Sequence, residues 1–196
     1  MLAIYKKELR SYFNSMIGYV FMSFFLVIVG IWFFAQNLFY GYANFEYTLS
    51  AISFIFILLT PLITMRLMAE ENKQKTDQLL YTAPVTATDI VLGKYLAVLT
   101  IFSLVMAVTC FYPLILSQYG DVRFSSAYAS ILAFLLLGAA YLAMGLFISS
   151  LTDSQVVAAV ISFVVFLFTV LMDEIADLFS SDNKTAIKVF TVILVL

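Results

Sequence analysis

The chain of 196 residues has no histidine, one cysteine and few charged residues, and each shortage excludes a class of chemistry. Without histidine, the usual general base and the commonest metal ligand are both missing. Cys110 alone forms neither an internal disulfide nor a multi-cysteine metal site, and we interpret it as a small apolar packing residue. Histidine-dependent nucleophiles, histidine-bound zinc and CxxC redox chemistry are therefore excluded. The sequence predicts a chain that is not an enzyme and binds no metal or cofactor itself.

Charged residues form only 11% of the chain, whereas the hydrophobic class forms 64% and the mean hydropathy is +1.05. A soluble domain carries about 25% charged and roughly 45–50% apolar residues, because its surface faces water. The composition therefore predicts a membrane protein. A net charge of −2 without a basic tract argues against nucleic acid as a partner.

Five charge-free apolar runs are long enough to cross a bilayer, which takes about 20 residues of helix. They lie at residues 17–35, 47–65, 95–118, 127–151 and 154–172. A sixth apolar run, 189–196, stops with the chain, so we expect an incomplete sixth span. The sequence thus predicts an all-α, polytopic membrane protein with one transmembrane domain over residues 1–196.

The basic residues predict the orientation of the spans, because short cytoplasmic loops retain Lys and Arg. Seven of the ten basic residues precede the first span or lie between the second and third. The N-terminus and residues 66–94 are therefore predicted to be cytoplasmic, and the acidic stretch after the fifth span to lie outside.

Residues 2–16 have the periodicity of an amphipathic helix. The apolar side consists of Tyr5, Leu9, Tyr12, Phe13 and Met16. Lys6, Lys7 and Arg10 occupy the other side. Such a helix is predicted to lie at the membrane interface, with its apolar side in lipid and its basic side toward anionic headgroups. A simple positive-inside anchor and one wall of a docking site are further interpretations of the same pattern.

Residues 66–94 are too long and too organised for a simple connection between spans. From Arg66 to about residue 82 they read as a helix, in which Glu71 and Lys75 form a favourable i,i+4 pair. Pro84 ends this helix, because proline has no N–H to donate and clashes in a helix interior. Within the segment, the apolar residues 79–81 predict either a partner surface or packing against the protein's own helix ends.

A second helix is predicted to begin at Thr86 or Thr88 and to run into the third span. Thr86 and Asp89 have the spacing of a capping box. The pair Gly93-Lys94 does not belong to a phosphate-binding loop, because Thr88 stands where the motif needs its first glycine and Tyr95 where it needs Ser or Thr.

The order of motifs in residues 65–97 resembles the cytoplasmic coupling region of ABC type-2 exporter permeases. That family carries Glu-Glu, Gly-Thr, Leu-Leu, Pro-Val or Pro-Leu, and Gly-Lys in this order. The matching residues here are Glu70, Glu71, Thr76, Leu79, Leu80, Pro84, Val85, Gly93 and Lys94. With the opening residues 5–13, the chain is similar to the gliding-motility-type branch. Lys75 stands in place of the usual glycine, which favours a continuous helix.

The resemblance implies a six-span permease that forms half of a transporter in a bacterial-type plasma membrane. Two permease copies or paralogues would form the translocation path, and each would rest on a separate ATPase subunit that holds ATP and Mg²⁺. The coupling helix, 70–85 by match, would lie in a groove of that ATPase. The implied coupling residues are Glu70, Glu71, Thr76, Asp77, Leu79, Leu80, Pro84, Val85 and Lys94.

The resemblance also assigns a role to residues 173–184, which would form a re-entrant segment near the outer face. Asp173, Glu174 and Asp177 would then line the rim of the exit path. An acidic, solvated loop is the other interpretation of these residues.

Two other classes of function remain as alternatives, an ATP-independent transporter and a non-transporting assembly or immunity factor. The predicted spans carry no Asp, Glu, Lys or Arg near the bilayer midplane, which counts against a proton- or ion-coupled carrier. The long amphipathic segment 66–94 favours the ABC permease, because a carrier needs no docking surface for an ATPase.

Overall fold

The computed structural model describes residues 1–42, 44–69 and 86–178, apart from the side chains of residues 17 and 173–178. Within these ranges the backbone forms helices joined by turns and short irregular segments. The helices are α1 (Leu2–Asn14), α2 (Met16–Trp32), a π-helical segment (Phe33–Phe39), α3 (Phe45–Thr64), α4 (Ala87–Thr109), α5 (Tyr112–Leu116), α6 (Phe124–Ser150) and α7 (Gln155–Leu178). The all-α prediction is confirmed for this part of the chain.

Five helical stretches in the described ranges are long and apolar enough to cross a membrane. They are Gly18–Phe39, Phe45–Thr64, Ala87–Leu116, Phe124–Ser150 and Gln155–Met172. Each contains most of one predicted span, because a charge-free apolar run of this length is most stable as a helix in lipid. The predicted sixth span, 189–196, lies outside the described residues.

The third span begins eight residues earlier than predicted, at Ala87 instead of Tyr95. The charge-free run was limited by Lys94, but the helix itself was predicted to begin at Thr86 or Thr88 and to run into the span, and this is confirmed with Thr86 as its cap residue. The helix continues through Lys94, whose side chain is fully buried. At the other end of this span, α4 ends at Thr109 and Pro113 sits in the first turn of the short helix α5, so the third span is interrupted shortly before Pro113.

A cluster of four phenylalanine rings, one from each of four helices, forms the centre of the bundle. Phe25 of α2, Phe56 of α3, Phe102 of α4 and Phe134 of α6 have ring centroids 5.0–6.3 Å apart in all six pairings. Tilted and edge-to-face arrangements at these distances are favourable because they offset the ring quadrupoles. The four rings therefore hold these helices together at one level.

Helices α3 and α6 occupy the middle of the bundle, and α7 packs against both of them. Gly145 of α6 lies against Thr64 of α3, where an added Cβ would come within 2.5 Å of the threonine Oγ1. Tyr141 of α6 shares a hydroxyl–hydroxyl hydrogen bond of 3.3 Å with Thr169 of α7. The absence of a side chain at Gly145 therefore serves packing within the chain.

The loop at the far end of α2 is organised by Asn37, a buried residue of the π-helical segment. Its amide group donates to the carbonyl oxygens of Tyr42, at 2.6 Å, and Asn44, at 3.3 Å. Its side-chain oxygen accepts a hydrogen bond from the hydroxyl of Thr48 in α3. Because all these polar groups are paired, the buried amide fastens the turn between α2 and α3.

Candidate functional site

The predicted coupling segment leaves α3 and returns to α4 at the end of the bundle where α1 lies. Most of its implied coupling residues lie outside the described residues: Glu70, Glu71, Thr76, Asp77, Leu79, Leu80, Pro84 and Val85. Both flanks are described, residues 65–69 on the entry side and residues 86–94 on the return side. We call these flanks, together with the parts of α1 and α6 that contact them, the junction.

Lys94 connects the two flanks of the coupling segment. Its side chain is fully buried, and its Nζ donates a 2.6 Å hydrogen bond to the carbonyl oxygen of Leu67 on the entry side. Glu8 of α1 brings a carboxylate oxygen within 3.6 Å of the same nitrogen, and its side chain is 13% exposed. A buried ammonium group is tolerated when it is paired and hydrogen-bonded in this way. Lys94 is thus held within the chain by Leu67 and Glu8, and its role in coupling stays a prediction.

Gly93, the residue before Lys94, allows α1 to approach α4 closely. A Cβ at this position would lie 3.1 Å from Cγ2 and 3.2 Å from Cβ of Ile4, and 3.3 Å from the amide nitrogen of Tyr5. Two turns further along α4, the hydroxyls of Tyr5 and Thr100 share a hydrogen bond of 3.1 Å. The Gly-Lys pair therefore has a structural use, in which the glycine makes room for α1 and the lysine pairs with it.

This contact corrects the expected environment of α1, whose apolar side was predicted to lie in lipid. Tyr12 is buried, and its hydroxyl donates to the carbonyl oxygen of Ile63 in α3, at 3.2 Å. Met16, predicted on the same apolar side, is exposed and begins α2. The helix itself agrees with the prediction and has Lys6, Lys7 and Arg10 on its exposed side. Its inner side packs mainly on protein because Gly93 opens the surface of α4.

Ser149 of α6 fixes the entry flank from a third side. The side chain is buried, and its Oγ accepts hydrogen bonds from the backbone N–H groups of Met68, at 3.1 Å, and Ala69, at 3.2 Å. The hydroxyl also lies 3.2 Å from the carbonyl oxygen of Met65, to which it donates. Three of the backbone groups in residues 65–69 are therefore held by one side chain.

The return flank is fixed by the N-terminal cap that the sequence predicted. Thr86 is the cap residue of α4, and its Oγ1 accepts from the backbone N–H of Asp89 at 3.3 Å. The Asp89 carboxylate in turn accepts from the Thr86 hydroxyl at 2.9 Å. Since the cap satisfies one of the free amides of the first turn, it gives α4 a defined start at the return side of the coupling segment.

The residues predicted for the outer exit rim lie on a continuation of the last helix. Helix α7 extends to Leu178 and thus passes beyond Met172, the predicted end of the fifth span. Asp173, Glu174 and Asp177 belong to this helical extension, and their side chains are not among those described. Residues 179–184 of the predicted re-entrant segment lie outside the described residues. The re-entrant segment 173–184 and the outer rim stay predictions.

Two residues of the junction, Glu8 and Ser149, were missed as site residues by reasoning from the sequence. Glu8 lies four residues after Ile4 and four before Tyr12, so helical spacing places this carboxylate on the inner side of α1. That position signals a buried partner. Ser149 carried no comparable signal, because its use depends on how α6 packs against residues 65–69.

The junction is built from one ion pair, hydrogen bonds and close helix packing. In the described ranges, no three side chains of His, Cys, Asp or Glu come together as a metal site would require. The groups that do meet are an ammonium ion, a carboxylate, a hydroxyl and backbone groups. Their arrangement joins α1, α3, α4 and α6 where the coupling segment begins and ends.

Comparison with known families adds one finding. A family model described as "ABC-2 family transporter protein" matches residues 34–193, which is most of the chain. Neither a curated protein nor a solved structure matches the chain.

Proposed function

The chain belongs to the ABC-2 transporter family, and from this membership we propose that it is the permease subunit of an ABC exporter. It is a multi-pass membrane permease, and permeases of this family typically work with an ATPase partner. In our proposal a separate ATPase subunit binds and hydrolyses ATP with Mg²⁺. This chain then contributes the spans and the contact through which the ATPase moves them. We also propose that it belongs to the gliding-motility-type branch of the family.

The observation that carries the proposal is that both flanks of the segment 70–85 are held at one place. Lys94 ties the return flank to Leu67, and Ser149 holds residues 65–69. When both ends of a segment are fixed to helices, a displacement of the segment also displaces those helices. A flexible loop would change its own conformation instead. The junction is therefore suited to transmit motion from a cytoplasmic partner to α3, α4 and α6.

In the proposed complex, residues 70–85 dock in a groove of the ATPase. Leu79 and Leu80 supply the apolar anchor, because an apolar pair in a charged cytoplasmic segment is best covered by a partner. The other proposed contact residues are Glu70, Glu71, Thr76, Asp77, Pro84 and Val85. Lys94 supports them from within the junction.

The packing of the spans supports a translocation path between two permease copies. The rings of Phe25, Phe56, Phe102 and Phe134 fill the centre of the described bundle, so a path through the middle of one chain is disfavoured. The two spans with the smallest buried share are Gly18–Phe39 and Gln155–Met172, and their apolar faces are free to meet lipid or a second copy. Asp173, Glu174 and Asp177 are proposed to line the outer rim.

The proposed orientation places the N-terminus and the junction in the cytoplasm of a bacterial-type cell, in its plasma membrane. It rests on the distribution of Lys and Arg. Cysteine substitution at Gln78, in a chain whose Cys110 is replaced by serine, tests it. We expect a membrane-impermeant thiol reagent to label this cysteine only from the cytoplasmic side, and labelling of intact cells from outside would refute the topology.

Co-purification with an ATPase tests the proposed function. The candidate partner is an ATPase with a phosphate-binding loop encoded beside the permease gene. We expect it to co-purify with the wild-type chain and to be lost from the Leu79→Asp/Leu80→Asp variant, which still inserts. The control, Gln74→Asp/Gln78→Asp, adds the same two charges at polar positions and should retain the ATPase. Equal retention by all three chains would contradict the docking of Leu79 and Leu80.

A further inference from the structure

Ser149 makes hydrogen bonds unlike those of its neighbours in the same helix. The hydroxyl of Ser150, the next residue, donates to the carbonyl oxygen of Phe147 in its own helix, at 2.6 Å. Ser130 bonds in the same intrahelical manner to the carbonyl of Ser126. Ser149 instead directs its hydroxyl out of α6 to the backbone of residues 65–69.

The bonds made by Ser149 use the full capacity of a hydroxyl group, which has one proton to donate and two lone pairs. Both lone pairs accept from consecutive amides, those of Met68 and Ala69, and the proton is directed to the carbonyl of Met65. Acceptance by a serine oxygen from amides at a chain turn is the chemistry of a helix N-terminal cap. The backbone of Ala69 is helical. Here the capping hydroxyl comes from another helix.

One turn before Ser149, α6 is pressed against α3. A Cβ added at Gly145 would lie 2.5 Å from Oγ1 and 2.8 Å from Cβ of Thr64. The backbone of α6 therefore contacts the Thr64 side chain directly at this position. Thr64 immediately precedes residues 65–69, to whose backbone Ser149 is hydrogen-bonded. The end of α3, residues 65–69 and the end of α6 are therefore in continuous contact.

We infer that Ser149 is a positioning residue that joins the coupling segment to α6, so that displacement of the segment is passed to this helix through one buried hydroxyl. The inference rests on the proposed function, because it assigns a route for the motion that the ATPase imposes. It adds to that function a specific residue and a specific receiving helix.

Hydrogen exchange on the permease in lipid nanodiscs tests the anchoring without any partner. In Ser149→Ala, we expect the amides of Met68 and Ala69 to exchange about tenfold faster, as follows from the loss of a capping hydroxyl. Ser149→Thr keeps the hydroxyl and should exchange as wild type, and Ser150→Ala is the matched control. Unchanged exchange at Met68 and Ala69 in Ser149→Ala would overturn the anchoring. If that variant does not insert, Ser149→Cys takes its place, because its thiol is a weak acceptor of similar size.

A second measurement, on the complex with the ATPase, tests transmission. In a Cys110→Ser background, a fluorophore is attached at Ser125→Cys, an exposed position at the far end of α6. We expect ATP to change its fluorescence in the wild-type complex and in Ser150→Ala, and to lose this effect in Ser149→Ala while the ATPase stays bound. Ser149→Thr should restore it, which a merely destabilising change would not allow.

The outcomes separate the two claims. A full fluorescence response in Ser149→Ala would overturn the transmission role. Failure of the wild-type chain to bind any ATPase would overturn the proposed function and, with it, transmission, whereas the exchange measurement would still decide the anchoring by Ser149.

Discussion

Replacing Glu8 by glutamine removes the carboxylate that faces buried Lys94 and changes the size of the side chain very little. The two charged atoms are 3.6 Å apart, with Lys94 0% and Glu8 13% exposed. Two unit charges at this separation attract by about 4–5 kcal/mol at an effective dielectric constant of 20. Lys94 keeps its hydrogen bond to Leu67, so we expect Glu8→Gln to lower the free energy of unfolding by about 2–3 kcal/mol, below the ~3–5 kcal/mol typical of a broken buried pair.

Chemical unfolding of the detergent-solubilised chain measures this loss. The control is Glu46→Gln, which removes an exposed carboxylate from the first turn of α3 and should cost about 1 kcal/mol or less. In the double variant Glu8→Gln/Lys94→Met the two losses should not add, because both single changes remove the same interaction. A Glu8→Gln chain as stable as the Glu46→Gln control would refute the claim that this ion pair fastens α1 to α4.

Three further predictions concern packing and loop structure. Gly138→Ala should destabilise the chain by about 1–3 kcal/mol, because the new Cβ would lie 2.3 Å from a ring atom of Phe102 in α4. Gly30→Ala should be nearly neutral, because its Cβ would lie 3.6 Å from the Tyr112 hydroxyl oxygen. Thermal unfolding of both variants measures the difference. Asn37→Ala should make the loop between α2 and α3 more accessible to protease, since its buried hydrogen bonds are lost, and an unchanged cleavage rate would contradict this. Gly93→Leu should displace α1, seen as increased alkylation of a cysteine at Ile4.

The positions of the spans could be predicted closely from the sequence, because a long apolar helix without charges is stable in the hydrocarbon core. The charge-free run of the third span stopped at Lys94, whereas its helix begins at Ala87, as the spacing of Thr86 and Asp89 predicted. An ammonium group with a carbonyl and a carboxylate beside it can be buried inside a helix bundle. Charge alone therefore does not mark the end of a span when its partners come from distant parts of the chain.

The junction was only partly predictable, because it depends on contacts between residues far apart in sequence. The cap formed by Thr86 and Asp89 is local, and its spacing was enough to predict it. The predicted environment of α1 was wrong because the true one depends on the close approach of α1 to Gly93, which the periodicity within α1 does not reveal. Ser149 is hydrogen-bonded to backbone groups about 80 residues away in sequence. No local spacing in the sequence relates residues that are so far apart.

ATP hydrolysis by the separate ATPase subunit, measured with and without this permease in the same lipid nanodiscs, tests most directly whether the chain is an ATPase-coupled permease. We predict that the hydrolysis rate changes as permease is added and saturates when every ATPase is bound, and that Leu79→Asp/Leu80→Asp abolishes the change. A hydrolysis rate that is independent of correctly inserted wild-type permease would contradict the account.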